Sequence, residues 1–259
     1  MKAVVVEALL HWGYSVKRPV FSAAQPALRV PSPTTFLGAL ARSKAYIDKL
    51  PEVVGGEKPY SSTVELLDVV PWASMALVDE DYVNPVTGLI ETHDILRAVI
   101  APYLRRENVY PGSPMLFGPQ PHGKIYAPGM RVEVVYLVRR GDVLRYAYGI
   151  MALGSKESIV SVSSAREVDV EEAGGVVETR FYFPRRLASK VEGNYLTETL
   201  SSPHRDHYAV AEVKDLYVNW EEYVVPIRPV RVTPSGEAAV LRDSEERVLL
   251  VPREVVEGG

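Results

Sequence analysis

The distribution of apolar and polar residues divides the chain into runs typical of strands and spacings typical of helices. Long runs rich in apolar and β-branched residues predict strands, and they occupy residues 2–12, 66–78, 131–139 and 158–168. Apolar residues three or four positions apart predict helices at residues 35–48, 89–104 and 143–153. Asp142 directly precedes the last of these and is expected to cap it. Both element types therefore occur along the first two thirds of the chain.

The order of these elements indicates a fold class. A strand, a helix and a strand are followed by a long insertion at residues 79–129, and then by a second strand, helix and strand. The helix predicted at residues 89–104 lies inside the insertion. This split β-α-β-β-α-β order is that of a ferredoxin-like or RRM domain. We therefore predict an α+β protein with a ferredoxin-like domain at residues 1–170.

After residue 170 the pattern changes to short strands. They are predicted at residues 176–183, 208–218, 223–231 and 247–251. Two glutamates and two glycines in the stretch Glu171-Glu172-Ala173-Gly174-Gly175 mark a boundary between the two patterns. We expect residues 171–259 to form a separate, β-rich C-terminal region.

The best-defined helix is the one at residues 35–48. Two prolines stiffen the approach to it, and Thr34 or Thr35 is expected to cap it. One face carries Phe36, Leu37, Leu40, Ser43 and Ile47, and the other carries Gly38, Arg42, Tyr46 and Lys49. Glycine inside a helix costs about 1 kcal/mol relative to alanine. An ordinary capped amphipathic helix explains the pattern, and the alternative is an anion site where Gly38 admits a close approach near Arg42.

Composition and charge exclude some classes of site. The chain has no cysteine, so it forms neither disulfides nor thiolate metal sites. His204 and His207 are three residues apart and could form half a metal site, but no third ligand is apparent. The formal net charge is −4, yet the first fifty residues hold seven basic and two acidic side chains, a net of +5. A basic N-terminal part and an acidic C-terminal part suit a protein that contacts RNA with one and protein with the other.

The hydropathy of the chain indicates its compartment. No apolar run reaches the roughly 18 residues of a membrane span, and the N-terminal residues predict a strand rather than a signal peptide. We expect a cytoplasmic protein that does not contact a membrane.

Two segments carry residues suited to a nucleic acid. The loop Gly154-Ser155-Lys156 offers backbone N–H groups, a hydroxyl and an ammonium group, which together can cradle a phosphate. Basic residues interleaved with an aromatic ring are typical of single-stranded RNA binding, and this pattern is formed by Tyr14, Lys17, Arg18 and Arg29. The alternatives are a solvated turn at the loop, a basic surface turn, and a tyrosine that packs as a strand residue.

Three motifs follow one another along the chain. They are G-Y-S-V-K-R-P at residues 13–19, P-x-P-T-T-x-x-G-A-L-A at 31–41 and G-S-K-E-S-x-V-S-V at 154–162. In this order they resemble family five of the CRISPR-associated proteins, the RAMP-type subunits that cap the 5′ end of the guide RNA in Cascade complexes. The subtype I-A form, common in thermophilic archaea, is the most similar. The resemblance covers the first 165 residues, and no motif matches in the rest of the chain.

The resemblance implies a structure and a set of partners. Its glycine-rich loop contacts RNA, which supports Gly154, Ser155 and Lys156 as RNA-binding residues. Its insertion forms a thumb that wedges against the guide RNA, here with the apolar tip Met115, Leu116 and Phe117; the alternative is a loop layer covering the sheet. The implied partners are the 5′ handle of a CRISPR RNA, the Cascade backbone subunit and the large subunit, in a hetero-oligomeric complex. No cofactor or metal is expected.

Three functional hypotheses remain. The preferred one is a non-catalytic subunit that holds the handle, with Arg18, Arg42 and Lys156 on phosphates. The second is a metal-independent endoribonuclease that processes repeat RNA, with Tyr46, Lys156 and His11 as the candidate acid–base cluster. A separate endonuclease does this work in the subtype I-A form, so catalysis is not expected. The third is a structural protein whose partners are all proteins.

Overall fold

The computed structural model describes residues 1–18, 26–57, 59–78, 91–100, 117–155, 158–209 and 219–258, with the side chains of all of these except 91–100 and 117–122. The strands are β1 (Lys2–Leu10), β2 (Gly13–Tyr14), β3 (Val53–Val54), β4 (Tyr60–Ser61), β5 (Trp72–Leu77), β6 (Glu91–Ile100), β7 (Phe117–Tyr126), β8 (Arg131–Val138), β9 (Val160–Ala173), β10 (Val177–Thr179), β11 (Phe183–Pro184), β12 (Ala188–Glu192), β13 (Tyr195–Ser201), β14 (Trp220–Pro226), β15 (Val230–Pro234), β16 (Ala238–Asp243) and β17 (Val248–Pro252). The helices are α1 (Pro33–Asp48), α2 (Thr63–Leu66), α3 (Leu144–Ala147) and α4 (Arg253–Glu257), and short 3₁₀ turns occupy Arg185–Leu187 and Arg205–Tyr208.

Six strands form a central sheet in the spatial order β17-β16-β9-β1-β8-β5, and all neighbours are antiparallel. Along the chain, α1 lies between β1 and β5, and α3 lies between β8 and β9. In β1, Val5 is opposite Val135 on one side and Arg166 on the other. Residues 3–6 are all buried, so both faces of the strand are covered there. Double coverage explains why β1 is a continuous apolar run rather than an alternating one.

Helix α1 has the buried face that the sequence predicts, with one exception. Phe36, Leu37, Leu40 and Ser43 are buried, whereas Ile47 is exposed. The N-cap is Ser32 rather than either threonine, and Pro33 follows it in the first turn, where its fixed φ suits a helix. The Ser32 hydroxyl lies 2.7 Å from that of Thr34. At the other end, Lys49 adopts a left-handed conformation with φ 54°, which terminates the helix.

The helix predicted at residues 89–104 is wrong for the part that the structure describes. Residues 91–100 form β6, which pairs antiparallel with β7, so that His93 is opposite Gly123. Four of the ten β6 residues are β-branched, and such side chains fit a pleated strand better than a helix. Backbone pairing with β7 extends from Glu91 to Ile100, with a register shift between Ile95 and Arg97. The insertion is therefore built, in its described part, on a β-hairpin.

The helix predicted at residues 143–153 ends early, at Ala147. Its predicted cap, Asp142, accepts a hydrogen bond at 3.0 Å from the first backbone N–H of α3. The Tyr146 carbonyl accepts a hydrogen bond at 2.6 Å from the Ser43 hydroxyl of α1. It also accepts the N–H three residues further on, at 3.1 Å, which is a 3₁₀-type bond. The helix therefore ends in a tight turn whose carbonyl is hydrogen-bonded both within the turn and to the neighbouring helix.

Two strand boundaries also differ from the prediction. The apolar run at residues 66–78 becomes a strand only after Pro71, and its first residue instead ends helix α2. Proline cannot donate to a strand ladder, so it stands directly before β5. At the predicted strand over residues 208–218, Tyr208 ends a 3₁₀ turn, and residues 210–218 lie outside the described part of the chain.

The C-terminal part is rich in strands, including three that the sequence pattern did not indicate, β12, β13 and β16. Two three-stranded sheets have the orders β10-β15-β12 and β11-β14-β13, while β16 and β17 extend the central sheet. Strand β9 passes through residue 170 without a break, and Tyr182 and Tyr223 share one buried core with β1 and α1. The division at residue 170 stays a prediction. Among the described residues, no helix combines the length and the hydropathy needed to cross a membrane.

Candidate nucleic-acid interface

Residues 13–18 and 26–29 form two antiparallel arms that we call the basic ribbon. The backbone N–H of Leu28 donates to the Val16 carbonyl at 2.7 Å, and that of Arg18 donates to the Pro26 carbonyl at 3.0 Å. The ribbon carries three of the basic residues that the sequence singled out, Lys17, Arg18 and Arg29. The structure thus brings these three into one strip, and residues 19–25, which join the arms, lie outside the described residues.

The glycine-rich loop is bound directly to the first arm of the ribbon. The Ser155 N–H donates to the Ser15 carbonyl at 3.1 Å, and the Ser15 N–H donates to the Ser158 hydroxyl at 2.9 Å. Gly154 has a φ of +76°, and a Cβ there would lie 2.8 Å from the Ser15 carbonyl oxygen. This glycine therefore allows the loop to approach the ribbon, a role that its sequence motif did not reveal. Lys156 lies outside the described residues.

The end of β7 contributes residues that the sequence analysis missed. The Ser15 hydroxyl donates to the Gly123 carbonyl at 2.9 Å, which joins β7 to the ribbon. The Lys124 ammonium lies 5.2 Å from the centre of the Trp12 ring, a cation–π distance. Tyr126, two residues further along the same face of the strand, is 53% exposed. Residues 123–126 alternate between small or apolar and polar or aromatic side chains, a pattern typical of a strand. The sequence analysis missed this pattern because it interpreted the insertion as a helix and loops.

Tyr14 does not provide the stacking surface that the sequence suggested. Its side chain is fully buried, and its hydroxyl donates to the Arg29 carbonyl in the second arm. Burial raises the pKa of the Tyr14 phenol well above its usual value, and the nearby Glu198 carboxylate adds to this effect. The hydroxyl therefore stays protonated and acts as a hydrogen-bond donor. The alternative interpretation, a packed strand residue, describes Tyr14 correctly.

A carboxylate from the C-terminal part completes the site. Glu198 on β13 is buried, with 4% of its surface exposed, and its Oε1 accepts a charge-assisted hydrogen bond from the Arg18 guanidinium. Its Oε2 lies 3.4 Å from the backbone nitrogen of Arg29. No sequence signal identifies Glu198, because it lies 180 residues from Arg18 and its own strand has no motif.

The remaining predicted residues lie elsewhere or outside the described part. Gly38 is half-buried and Arg42 is exposed on α1, but residues 31–34 at the start of this helix are buried. The helix N-terminus is therefore covered, which favours the ordinary capped helix, and RNA contacts at Gly38 and Arg42 stay a prediction. Met115 and Leu116 of the thumb tip lie outside the described residues, and Phe117 is described only as the backbone start of β7.

The histidines whose side chains are described each have a hydrogen-bond partner of their own, and Tyr46 is exposed. The His11 ring Nε2 lies 2.7 Å from the Ser161 hydroxyl at the side of β9, and Tyr46 is 78% exposed on α1. The His204 ring accepts the Asp206 N–H at 3.2 Å, so it caps a 3₁₀ turn. His207 Nδ1 is 2.9 Å from the Ser201 hydroxyl. In the part of the chain that the structure describes, no three metal-binding side chains cluster.

His207 makes the stability of the protein depend on pH. Burial lowers the pKa of its ring below 6.5, so between that lowered pKa and 6.5 the unfolded chain binds a proton that the folded protein does not. The stabilisation that the neutral His207 ring provides is complete above pH 6.5 and is lost as the pH falls. The loss is about 1 kcal/mol for each unit by which the folded pKa lies below the unfolded pKa. We expect His207→Gln to show a smaller drop in unfolding free energy than the wild type between about pH 7 and about pH 5, measured by urea denaturation. Equal drops in both proteins would contradict this assignment.

Sequence comparison identifies the family. A protein of Saccharolobus solfataricus named CRISPR-associated protein Cas5 3 is 30% identical over 180 residues, which cover 67% of this chain and 68% of that protein. The chain belongs to the Cas5 family of CRISPR-associated proteins. From the same organism, the CRISPR system aCascade subunit Cas5 1 is 29% identical, covering 67% of this chain and 68% of that protein. The CRISPR-associated protein Cas5 2 is 28% identical, covering 87% of this chain and 83% of that protein. No family model matches the chain.

A solved structure shares the fold. The crystal structure of a CRISPR protein from Archaeoglobus fulgidus superposes with a TM-score of 0.61 and covers 97% of this chain and 99% of that chain. The two sequences are 17% identical, so this likeness concerns the fold alone. Family membership and fold thus agree with the resemblance carried by the three sequence motifs.

Proposed function

We propose that the protein binds the 5′ handle of a CRISPR RNA as a non-catalytic subunit of a Cascade-type complex in antiviral defence. The observation that carries the proposal is the hydrogen-bonded convergence of the basic ribbon, the Gly154 loop and the end of β7. Cations at such a site neutralise phosphates, and an exposed ring such as that of Tyr126 can stack on an unpaired base. The name of one relative, an aCascade subunit, supports assembly into such a complex, and a backbone subunit and a large subunit are the partners that we propose.

The architecture supports a finer structural interpretation. The four strands in the order β9-β1-β8-β5, with α1 and α3 in the two connections, have the arrangement of a ferredoxin-like domain. We interpret them as a RAMP domain of the subtype I-A kind. The hairpin of β6 and β7 then forms the base of a thumb whose tip would be Met115-Leu116-Phe117. Capping of the backbone filament by this domain is part of the same proposal.

The proposal assigns no catalytic step to the protein. Cleavage beside a 2′-hydroxyl without a metal needs a base and an acid on one phosphodiester. In the nuclease alternative these would come from His11, Tyr46 and Lys156. The His11 ring is already hydrogen-bonded to a serine hydroxyl on β9, which favours a structural role. Repeat RNA that stays intact during the binding experiment below supports a binding subunit.

The central test is RNA binding by the double variant Lys17→Ala/Lys156→Ala. We expect the wild type to bind a labelled single-stranded handle more tightly than a scrambled RNA, measured by fluorescence anisotropy at two salt concentrations. Each lost phosphate contact reduces the magnitude of the negative slope of log K against log salt by about 0.7 for a single strand. The slope of the double variant should therefore be smaller in magnitude by about 1.4. Its affinity for the handle should fall about tenfold or more.

The control is Lys190→Ala. This lysine lies on β12, outside the proposed interface, and forms an exposed ion pair with Glu192. The substitution removes a positive charge but no proposed RNA contact. The affinity and the salt slope of this variant should therefore match those of the wild type. An unchanged affinity in the double variant would contradict the proposed interface. Arg18 is left intact here because its removal would leave Glu198 buried without its cation.

A further inference from the structure

Both arms of the basic ribbon are held by one buried carboxylate. Glu198 Oε1 accepts a hydrogen bond from the Arg18 side chain in the first arm, and Oε2 faces the Arg29 backbone N–H in the second, at 3.4 Å. The Arg29 carbonyl accepts the Tyr14 hydroxyl. The backbone of Arg29 is therefore held on both its donor and its acceptor side, and Glu198 is the group that the two arms share.

The two members of this ion pair differ in exposure. The Glu198 side chain is 2% exposed, while the Arg18 side chain is 45% exposed. A buried carboxylate needs its partner, because an unpaired charge in the interior is strongly unfavourable. A guanidinium has five N–H donors in one plane. The hydrogen bond from Arg18 Nη2 to Glu198 therefore restricts the orientation of that plane, and the donors on the exposed part remain able to bind an anion.

We propose that Glu198 is a positioning residue for the RNA interface: it orients the Arg18 guanidinium so that its exposed donors meet one phosphate of the handle. This inference rests on the proposed function. It connects the RNA site to the C-terminal part of the chain, since Glu198 belongs to β13. The Glu198 charge also repels RNA in general. The pair therefore increases the preference for a correctly placed phosphate while it lowers non-specific attraction.

The test is the affinity of Glu198→Gln for handle and for scrambled RNA in the full chain. Glutamine keeps the shape and an acceptor oxygen, but it loses the charge that holds Arg18. We expect handle affinity to fall about tenfold, the scale of one charge-assisted hydrogen bond, and scrambled-RNA affinity to stay equal or rise. The preference for the handle thus falls about tenfold or more. The matched control is Glu192→Gln, which removes an equal charge from a half-exposed side chain on β12 and should leave the preference unchanged.

A second variant keeps the test decisive if Glu198→Gln does not fold. Arg18→Lys retains the positive charge beside Glu198 but lacks the planar fork, so it should lose handle preference in the same direction. A purely structural role of Glu198 predicts equal losses for both RNAs, and a purely electrostatic role predicts tighter binding of both. Either pattern overturns the proposal, as does an unchanged preference in Arg18→Lys. A wild type that does not prefer the handle overturns the proposed function itself, whereas a wild-type preference that both variants retain overturns only the role of Glu198.

Discussion

Replacing Arg247 by methionine is expected to lower the free energy of unfolding by about 3–5 kcal/mol, because it leaves the buried Asp243 carboxylate without its cation and the buried Glu133 carboxylate with only the more exposed Arg180. The Arg247 side chain is 9% exposed, and those of Glu133 and Asp243 are each 3% exposed. Its Nε lies 2.7 Å from Glu133 Oε1, and its Nη1 lies 2.6 Å from Asp243 Oδ2. Burial by itself lowers the pKa of Arg247, but the hydrogen bonds to Asp243, Glu133 and Glu245 outweigh it and raise that pKa.

The position of this network in the sheet explains the size of the effect. Glu133 lies on β8 and Asp243 on β16, and these strands are separated by β1 and β9. Arg180 donates to the second Glu133 oxygen but is 42% exposed, so it cannot replace a buried partner. The network therefore joins a strand from the middle of the chain to a strand near its C-terminal end across the sheet, and its disruption acts on the whole fold.

Urea denaturation followed by tryptophan fluorescence measures the loss. The control is Lys190→Met, which removes an exposed ion pair with Glu192 and should change stability by less than about 1 kcal/mol. If Arg247→Met lost no more than this control, the buried network would contribute no more than a surface pair.

Replacing Gly13 by alanine is expected to destabilise the protein by about 2–4 kcal/mol, through backbone strain and overpacking together. Gly13 has a φ of +133°, which side-chain-bearing residues rarely adopt, and a Cβ there would lie 1.9 Å from the Ile125 carbonyl oxygen. Because Gly13 is opposite Tyr126, the variant separates the ribbon from the end of β7. Handle binding should therefore weaken together with stability, which denaturation and anisotropy measure on the same preparation.

Gly38→Ala provides the opposite control. A Cβ at this helix position meets no atom within 4 Å, so alanine should stabilise α1 by up to about 1 kcal/mol. If RNA approaches the backbone at Gly38, as the sequence alone suggested, handle binding weakens in this variant although the protein is more stable. A Gly13→Ala protein as stable as the wild type would contradict the close contact between β2 and β7.

The local pattern of apolar and polar residues predicted correctly those elements whose environment is the same along their whole length. The continuous apolar run of β1, the strand β8 and the buried face of α1, apart from Ile47, were predicted correctly, because each depends on spacing within a single element. The hairpin strand β6 was read as a helix because its apolar spacing fits either structure, and only pairing with β7 selects the strand. Helix α3 was predicted too long, and its actual end at Ala147 includes a contact that local spacing does not reveal, the hydrogen bond from Ser43 of another helix.

The candidate site likewise contains residues that the sequence predicted and residues that only the structure revealed. The sequence indicated Lys17, Arg18 and Arg29 from charge, but the buried position of Tyr14 and the contribution of Lys124 and Tyr126 required the packed structure. The partner of Arg18 could not be predicted, since Glu198 has no motif and lies 180 residues away.

By itself, the sequence determined that this protein mixes helices and strands, concentrates positive charge at its N-terminal end and carries three motifs resembling one CRISPR-associated family. Those properties depend on residue type and short-range spacing, which are complete before folding. The tertiary structure alone decided that the ribbon, the glycine-rich loop and the end of β7 meet, and that Glu198 holds the ribbon. Such contacts join residues more than one hundred positions apart, and their strength comes from burial and hydrogen-bond geometry that only the packed chain creates.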